Sequence, residues 1–303
     1  KLNLLTLLIL LPILAMAQVP PPPGMPTPAA PQLGASSYIL MDFNSGDILV
    51  EHEPDMRLEM ASITKLMTSY VVFQELATGD ISLEDEVTIS ETAWRTEGSR
   101  MFLEPKMKVS VEELLKGLII QSGNDASVAL AEHVGGTEET FAQIMNQLAV
   151  ELGMMNTNYS NSTGLPTENH YTSAEDISIL ASALIREFPD YYRWYSQKQF
   201  TYNGLTQGNR NSLLGRDETV DGMKTGYTEK AGYCLVSSAE REGMRLISVV
   251  LGTASPAARA NESQALLNYG FRFFETRLLW EQGEIISNER VWKGERNEVD
   301  LIV

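Results

Sequence analysis

Two short apolar runs, Ser37–Asp42 and Asp47–Glu51, flank Asn44-Ser45-Gly46, whose Asn and Gly can take positive φ, so a β-hairpin is predicted. Apolar residues at 63, 66, 67, 70, 71, 73 and 76 then fall on one wide helical stripe. Ser62–Leu76 is therefore predicted to be a buried helix, stopped by Thr78-Gly79-Asp80. The pattern from Ser110 to Arg186 is mainly helical. Ser110-Val111-Glu112-Glu113 opens one helix with a capping-box pattern, and Thr137–Leu152 and Thr172–Arg186 form two more. Ser160–Asn169, with Gly164 and Pro166, reads as a connecting loop. Strand character returns at Tyr233–Ser238 and Arg245–Gly252, before a predicted helix over Ser263–Phe274. Strands from both ends thus bracket a helical middle. The predicted fold is α+β, a mostly antiparallel sheet flanked by helices with an inserted all-α lobe. A site is expected in the cleft between the two. From Arg277 the pattern breaks into short β-like pieces, Gly283–Ile286, Glu289–Trp292 and Glu298–Val303, too few residues to build a core of their own.

Composition narrows the function class. A net charge of −17 leaves no surplus of Lys and Arg to neutralise phosphates, which argues against nucleic acid. At the N-terminus Lys1 precedes an apolar run, Leu4–Leu14, and then Ala15-Met16-Ala17, a small-x-small pattern before Gln18. The run is short of the ~20 residues of a spanning helix, so residues 1–17 are predicted to be a cleaved secretory signal. A lipoprotein signal would need Cys at that point, and the single cysteine is Cys234, in an apolar strand-like run that predicts a buried, inert thiol. Seven prolines between Pro20 and Pro31 make residues 18–34 an extended spacer and not core.

Candidate chemistry begins with what is missing. His52, His133 and His170 are scattered outside any metal-ligand spacing and read as ordinary surface or loop residues. There is no Gly-x-Ser-x-Gly elbow, P-loop or G-x-G-x-x-G fingerprint, and no metal or cofactor is called for. Ser62-Ile63-Thr64-Lys65 is the one Ser-x-x-Lys in the chain, and a chain of this composition offers about one such spacing by chance. It can be an N-capping Ser with a snorkelling Lys. It can equally be a nucleophile and base, since spacing i, i+3 stacks amine and hydroxyl on one face and an apolar setting lowers an amine pKa. Ser122-Gly123-Asn124, after the apolar run Leu114–Ile120, is either a plain helix C-cap or a hydroxyl and an amide presented to a cleft. Lys224-Thr225-Gly226 supplies a cation and a hydroxyl for a carboxylate, with Gly leaving the strand bare for substrate pairing, or else it is a protective edge-strand Lys.

Together the three motifs, 60 and 102 residues apart, stand in the order found in penicillin-binding proteins and class A β-lactamases. The surrounding stretches, Asp221–Thr228 with Ala231-Gly232-Tyr233, Ile120–Ala126 and Tyr269–Phe274, resemble the low-molecular-mass penicillin-binding D-alanyl-D-alanine carboxypeptidases of the β-lactamase/transpeptidase-like class. The resemblance runs from about Ser37 to the C-terminus. It implies a peptidase domain over 35–276, with 277–303 beginning a small β-rich C-terminal domain that stops short. It implies Ser62 as the nucleophile on the carbonyl between two terminal D-alanines, Lys65 as general base and Ser122 as proton relay to the leaving D-alanine. Asn124 would hold the substrate amide, Lys224 and Thr225 would engage the terminal carboxylate or its proton network, and the N–H groups of Ser62 and Tyr227 would hold the oxyanion. Arg259 and Arg210 match family arginines that help recognise the carboxylate. Expected partners are peptidoglycan stem peptides, with β-lactams as inhibitors. The expected location is the periplasm or the outer face of a bacterial cytoplasmic membrane, with peripheral membrane association through a C-terminal region missing from this sequence.

Two departures from the family stand out: this sequence stops near the start of the β-rich domain, and one site position differs. Several family members carry His where this chain has Tyr227, a change that keeps a backbone donor but removes an imidazole. The competing readings are a serine β-lactamase, which would need a second carboxylate base and carries a Glu-x-x-Leu-Asn stretch absent here, and a non-catalytic peptidoglycan-binding protein.

Overall fold

The computed structural model describes residues 27–303, so the predicted signal and most of the proline tract lie outside the described residues. In chain order the elements are β1 (Ser37–Asp42), β2 (Ile48–His52), α1 (Lys65–Thr78), β3 (Glu86–Thr88), α2 (Glu91–Arg95), β4 (Lys108–Ser110), α3 (Val111–Lys116), α4 (Asn124–Gly135), α5 (Glu138–Glu151), α6 (Ala174–Glu187), α7 (Pro189–Tyr192), β5 (Gln199–Tyr202), β6 (Leu205–Gly208), β7 (Val220–Thr228), β8 (Gly232–Arg241), β9 (Met244–Thr253), α8 (Pro256–Phe273), β10 (Ile285–Arg290) and β11 (Glu298–Ile302).

The central sheet has the order β2-β1-β9-β8-β7, with every pair antiparallel. Strands from the two ends of the domain therefore meet in one sheet and bracket the helical middle, as the pattern predicts. The sheet has a core on each face. Alternate side chains send Tyr38, Leu40, Leu246 and Val250 into a cluster with Leu266 and Leu267 of α8. Their neighbours Ile39, Met41, Ile247 and Val249 join the larger cluster of the helical lobe on the other face. With both faces covered, β1 and β9 are almost continuously apolar. Each Leu or Ile so buried is worth about 1.5–3 kcal/mol of transfer free energy, so these clusters fix which strand lies where.

Local signals set several boundaries. Ser110 and Glu113 form the predicted capping box, Ser110 Oγ accepting from the Glu113 N–H while the Glu113 carboxylate accepts from the Ser110 N–H. Thr137 and Ser173 cap α5 and α6, and Gly79, at φ 83°, closes α1. Other boundaries moved. The predicted helix over Ser263–Phe274 begins earlier, at Pro256, capped by Ser255. The two β-like pieces before Trp292 fuse into β10, which pairs only with β11 in a hairpin apart from the central sheet. The end of the expected spacer is not free of the core. Tyr269 donates to the Pro28 carbonyl, Ala30 and Leu33 pack on the α8 cluster, and Ala35 donates its N–H to Glu262. An extended proline-rich segment has a fixed backbone and costs little entropy to lay along a helix.

The sheet edge that matters for the site is β7. It is tied to the helical lobe by Tyr192, which donates to Asp221 at 2.7 Å, and Asp221 in turn pairs with Arg245 at 2.7 Å. Asn211 adds a bond from Nδ2 to the Gly222 carbonyl. The cleft between β7 and the lobe thus has a braced wall on the sheet side.

Candidate active site

Ser62 lies in a tight 3-10 turn, Ala61–Thr64, that runs directly into α1. Ala61 adopts φ 47°, an uncommon conformation for a residue with a Cβ, so the nucleophile turn is held in strain by its surroundings. No side chain caps this turn, which removes the N-capping alternative for Ser62. One turn on, Lys65 is fully buried and its Nζ lies 3.1 Å from Ser62 Oγ. The same Nζ donates to Asn124 Oδ1 at 2.7 Å and to the Thr163 carbonyl at 2.6 Å. Burial pulls the Lys65 pKa down to about 7, against the opposing field of Asp125 and with help from Arg210. In its neutral form the amine has two N–H groups and one lone pair. Two acceptors take the N–H groups, so the lone pair is left for the Ser62 hydroxyl.

Across the cleft a five-residue π turn, Gly117–Gln121, ends α3, and Ser122 follows in the left-handed region at φ 67°. The expected abrupt helix end is present. The surprise is that the same triplet also starts a helix, since α4 begins at Asn124. Pattern could not reveal this start, because its N-cap, Gly123, has no side chain to serve as a signal. Ser122 Oγ accepts from Lys224 Nζ at 2.8 Å. Asn124, the expected holder of substrate, is largely engaged with the protein. Its Oδ1 accepts from Lys65 and its Nδ2 donates to the Glu97 carbonyl at 2.6 Å, leaving one N–H. Gly98 is required beneath it, for a Cβ there would sit 2.7 Å from Asn124 Nδ2.

The third wall is β7. Lys224 is buried, and burial first, then the nearby charges of Lys65, Arg210 and Arg259, hold its amine well below the ordinary lysine range. Thr225 is buried beside it and lines the cavity. β7 is an edge strand, as one reading of the motif required. The role of Gly226 differs from the expectation of a surface kept bare for substrate. A Cβ there would meet Met60 O at 2.9 Å, Ala61 Cβ at 3.2 Å and Ile63 Cγ1 at 3.2 Å. The missing side chain makes room for the nucleophile turn. Tyr227 is 51% exposed and stacks on Tyr233 at 4.2 Å between ring centroids. Arg259 lies over the other member of that pair, 5.6 Å from the Tyr233 ring, and donates to the Gly226 carbonyl. Arg210 donates Nε–H to the Gln121 carbonyl.

Two adjoining cavities, about 340 and 280 Å3, open between these walls, and Ser62, Ser99, Arg210 and Tyr227 line both. Asn124 and Thr163 belong to the first, Ser122, Thr225 and Arg259 to the second. A larger cavity of about 690 Å3, between the β8–β9 turn and the end of α8, contains none of these groups. Among the described residues a hydroxyl, a neutralised amine and cations converge at the smaller pair, which makes it the candidate site. All ten predicted residues come together around it.

Sequence reasoning missed the third side of the nucleophile. The Asn161–Leu165 loop supplies Thr163 O to Lys65, and Asn161 Oδ1 shapes that loop by accepting from the Thr163 and Gly164 N–H groups. An Asn three residues before a Gly was the one available signal. His170 also departs from its reading as a surface or loop residue. It is 4% exposed and bonds Thr64, whereas His52 and His133 are exposed. Cys234 is buried opposite Gly226 on β8, and burial pushes its thiol up to about 11, which makes it inert as expected.

Comparison with known proteins agrees with this geometry. Residues 25–255 match the pattern of the peptidase S11 family, D-alanyl-D-alanine carboxypeptidase. The chain is 48% identical over 277 residues to D-alanyl-D-alanine carboxypeptidase DacA of Haemophilus influenzae, covering 89% of this chain and 70% of that protein. Among solved structures it resembles penicillin binding protein 5 of Haemophilus influenzae, with a TM-score of 0.88 at 47% identity over 90% of this chain and 80% of the other. It also resembles penicillin-binding protein D2 of Listeria monocytogenes in its ampicillin-bound form, with a TM-score of 0.73 at 29% identity, over 79% and 98% of the two chains. The chain therefore belongs to the D-alanyl-D-alanine carboxypeptidase family, peptidase S11, and is a serine-type peptidase of the low-molecular-mass penicillin-binding class.

Proposed function

We propose that this enzyme removes the terminal D-alanine from peptidoglycan stem pentapeptides through an acyl-enzyme on Ser62. The observation that carries the reading is the Lys65 amine. It is buried, 3.1 Å from Ser62 Oγ, with two fixed acceptors that leave its lone pair for the hydroxyl. Lys65 Nζ takes the Ser62 proton as Oγ attacks the carbonyl carbon between the two D-alanines. The N–H groups of Ser62 and Tyr227 receive the oxyanion. The close packing of Gly226 on the nucleophile turn supports this pairing, since it brings both backbones to one wall.

As the tetrahedral adduct collapses, the C–N bond breaks and the departing amine needs a proton. Ser122 Oγ, bonded to Lys224 Nζ, delivers it and takes up in turn the proton that Lys65 received from Ser62, which leaves Lys65 neutral again. Thr225, Arg259 and Arg210, in the second cavity, meet the terminal carboxylate, and the remaining Asn124 N–H meets the peptide carbonyl before the scissile unit. Water then attacks the ester, again with Lys65 as base, and Ser62 is freed. Transfer to an amine acceptor in place of water would use the same residues.

A β-lactam presents the same carbonyl and carboxylate to the site, and its ring-opened acyl group stays attached, so it acts as an inhibitor. The ampicillin-bound form of the Listeria protein supports this reading. Such work is done outside the cytoplasm, in the periplasm or on the outer face of the membrane. Among the described residues no helix is long and apolar enough to cross a membrane. Strands β10 and β11 form an exposed hairpin with Leu301 and Ile302 facing solvent and Trp292 exposed beside it, which supports reading residues 277–303 as a β-rich unit apart from the peptidase domain.

Incubation with benzylpenicillin, followed by intact mass and peptide mapping, tests the assignment. A persistent adduct on the peptide holding Ser62 is expected. Rapid turnover to penicilloate would instead identify a β-lactamase, and an adduct elsewhere would remove Ser62 from its role.

A further inference from the structure

His170 sits at the end of the Ser160–Asn169 loop, behind the nucleophile turn and outside the cavities. Its two ring nitrogens are both used. Nδ1 lies 2.9 Å from the Ser160 backbone nitrogen, which can only donate, so Nδ1 is the acceptor and Nε2 carries the hydrogen. Nε2 lies 2.7 Å from Thr64 Oγ1. Thr64 Oγ1 spends its own hydrogen on the Ala61 carbonyl at 2.8 Å, so it accepts from His170. The chain of donors therefore runs one way: Ser160 N–H to His170, His170 to Thr64, Thr64 to Ala61 O. Burial first, and the Lys65 charge with it, keep the ring neutral by holding its pKa at about 4, while Glu59 opposes them. Tyr159 packs edge-on, with 6.0 Å between ring centroids.

The chain ends on the strained residue next to the nucleophile. Ala61 is held at φ 47°, and its carbonyl is pressed by the loop, since a Cβ on Gly164 would lie 1.8 Å from Ala61 O. The same loop carries Thr163, whose carbonyl accepts from Lys65 Nζ. Both halves of the nucleophile–base pair thus lean on one loop, and His170 fastens that loop to the turn.

We infer that His170 is a positioning residue for acylation: acting through Thr64, it fixes the Ala61–Ser62 turn and the Thr163 carbonyl, and so sets the distance between Ser62 Oγ and Lys65 Nζ. This rests on Ser62 and Lys65 being the nucleophile and base. A displacement of about 1 Å between reacting groups costs about 100-fold, so the lever is large enough to measure. His170→Ala removes both bonds. His170→Gln keeps a side-chain N–H near the position of Nε2. Thr64→Val, close in shape, cuts the link from the other end.

The experiment measures the second-order rate of benzylpenicillin acylation, kcat and KM for D-alanine release, and the melting temperature, for the whole chain and each variant. We expect His170→Ala and Thr64→Val to acylate about 10- to 100-fold more slowly with KM within about 3-fold, because neither side chain lines the cavities that hold substrate. His170→Gln should recover most of the rate. The double variant should be no slower than the worse single one, since both break one chain. If His170→Ala does not fold, Thr64→Val decides alone. Wild-type acylation in a folded Thr64→Val or His170→Ala protein overturns the inference, as does a loss expressed in KM with kcat unchanged. Failure of the nucleophile assignment looks different: Ser62→Ala would then still release D-alanine, whatever the His170 variants do.

Discussion

Lys65 illustrates how one side chain is moved to the right protonation state. Burial alone would strip its proton, and Asp125 and Glu138 restore part of the preference for charge, which leaves the amine near pH 7. A free-enzyme pKa of about 7 makes a signed prediction. Below it the amine is protonated and cannot accept from Ser62, so the acylation rate should fall about tenfold per pH unit under pH 7. A stopped-flow profile of penicillin acylation checks this, and a profile flat from pH 5 to 8 would contradict it. Tyr227 adds no imidazole to that range, so a single acid limb is expected. Lys65→Arg keeps the length and a charge, but guanidinium is always protonated. It should lose about 100- to 10,000-fold in acylation while D-alanine release falls in parallel. The tetrapeptide Ser62–Lys65 was legible as a motif because its geometry is local, i to i+3 on one helical face. The strain at Ala61 and the burial of His170 were not, because both are imposed by a loop about 100 residues away.

At the scale of elements, the site is where three segment ends meet: a 3-10 turn entering α1, a π turn between α3 and α4, and the edge strand β7. The hairpin β1–β2, the capping box at Ser110 and the Lys-Thr-Gly strand could be read from sequence, since each is set by neighbours within a few residues. The start of α4 and the β5–β6 hairpin could not. One lacks a capping side chain, and the other is short, with β5 and β6 mostly exposed and only Tyr202 buried. The Ser160–Asn169 loop reads as a mere connection until its contacts are seen. Gly164 tests its packing. At φ 85°, with Ala61 O in the way, Gly164→Ala should cost at least about 2 kcal/mol and slow acylation as well, which denaturant midpoints and penicillin binding would show. His170 also links this loop to pH. Its folded pKa of about 4 lies below its unfolded value, so the unfolded state binds the extra proton between about pH 6.5 and 4. Stability from this group is complete above pH 6.5 and is lost as pH falls through that window, by about 3 kcal/mol in all. Urea titrations of wild type and His170→Gln at pH 7 and pH 4 isolate it: the wild type should lose about that much more.

For the molecule as a whole, the fold brings two guanidinium cations, Arg210 and Arg259, to one cleft of a chain whose net charge is −17. Electrostatics therefore opposes anions over the surface and favours them at the site, where carboxylate-ended peptides would be held. The sheet supplies rigidity, through the Tyr192–Asp221–Arg245 brace behind β7, and the helical lobe supplies the two turns that carry hydroxyls. The architecture was foreseeable from the bracketing of helices by strands, whereas the docking of Pro28 and Leu33 on α8 depends on a surface no pattern reveals. What unites the scales is a single chemical claim, that Ser62 is acylated by a D-alanyl-D-alanine terminus. The direct measurement is D-alanine released from a peptidoglycan pentapeptide by wild type and by Ser62→Ala at equal concentration. The account predicts one D-alanine per peptide from the wild type and none above background from the variant, with the tetrapeptide left as the other product. Release by Ser62→Ala at the wild-type rate, or no release by the folded wild type, would contradict it.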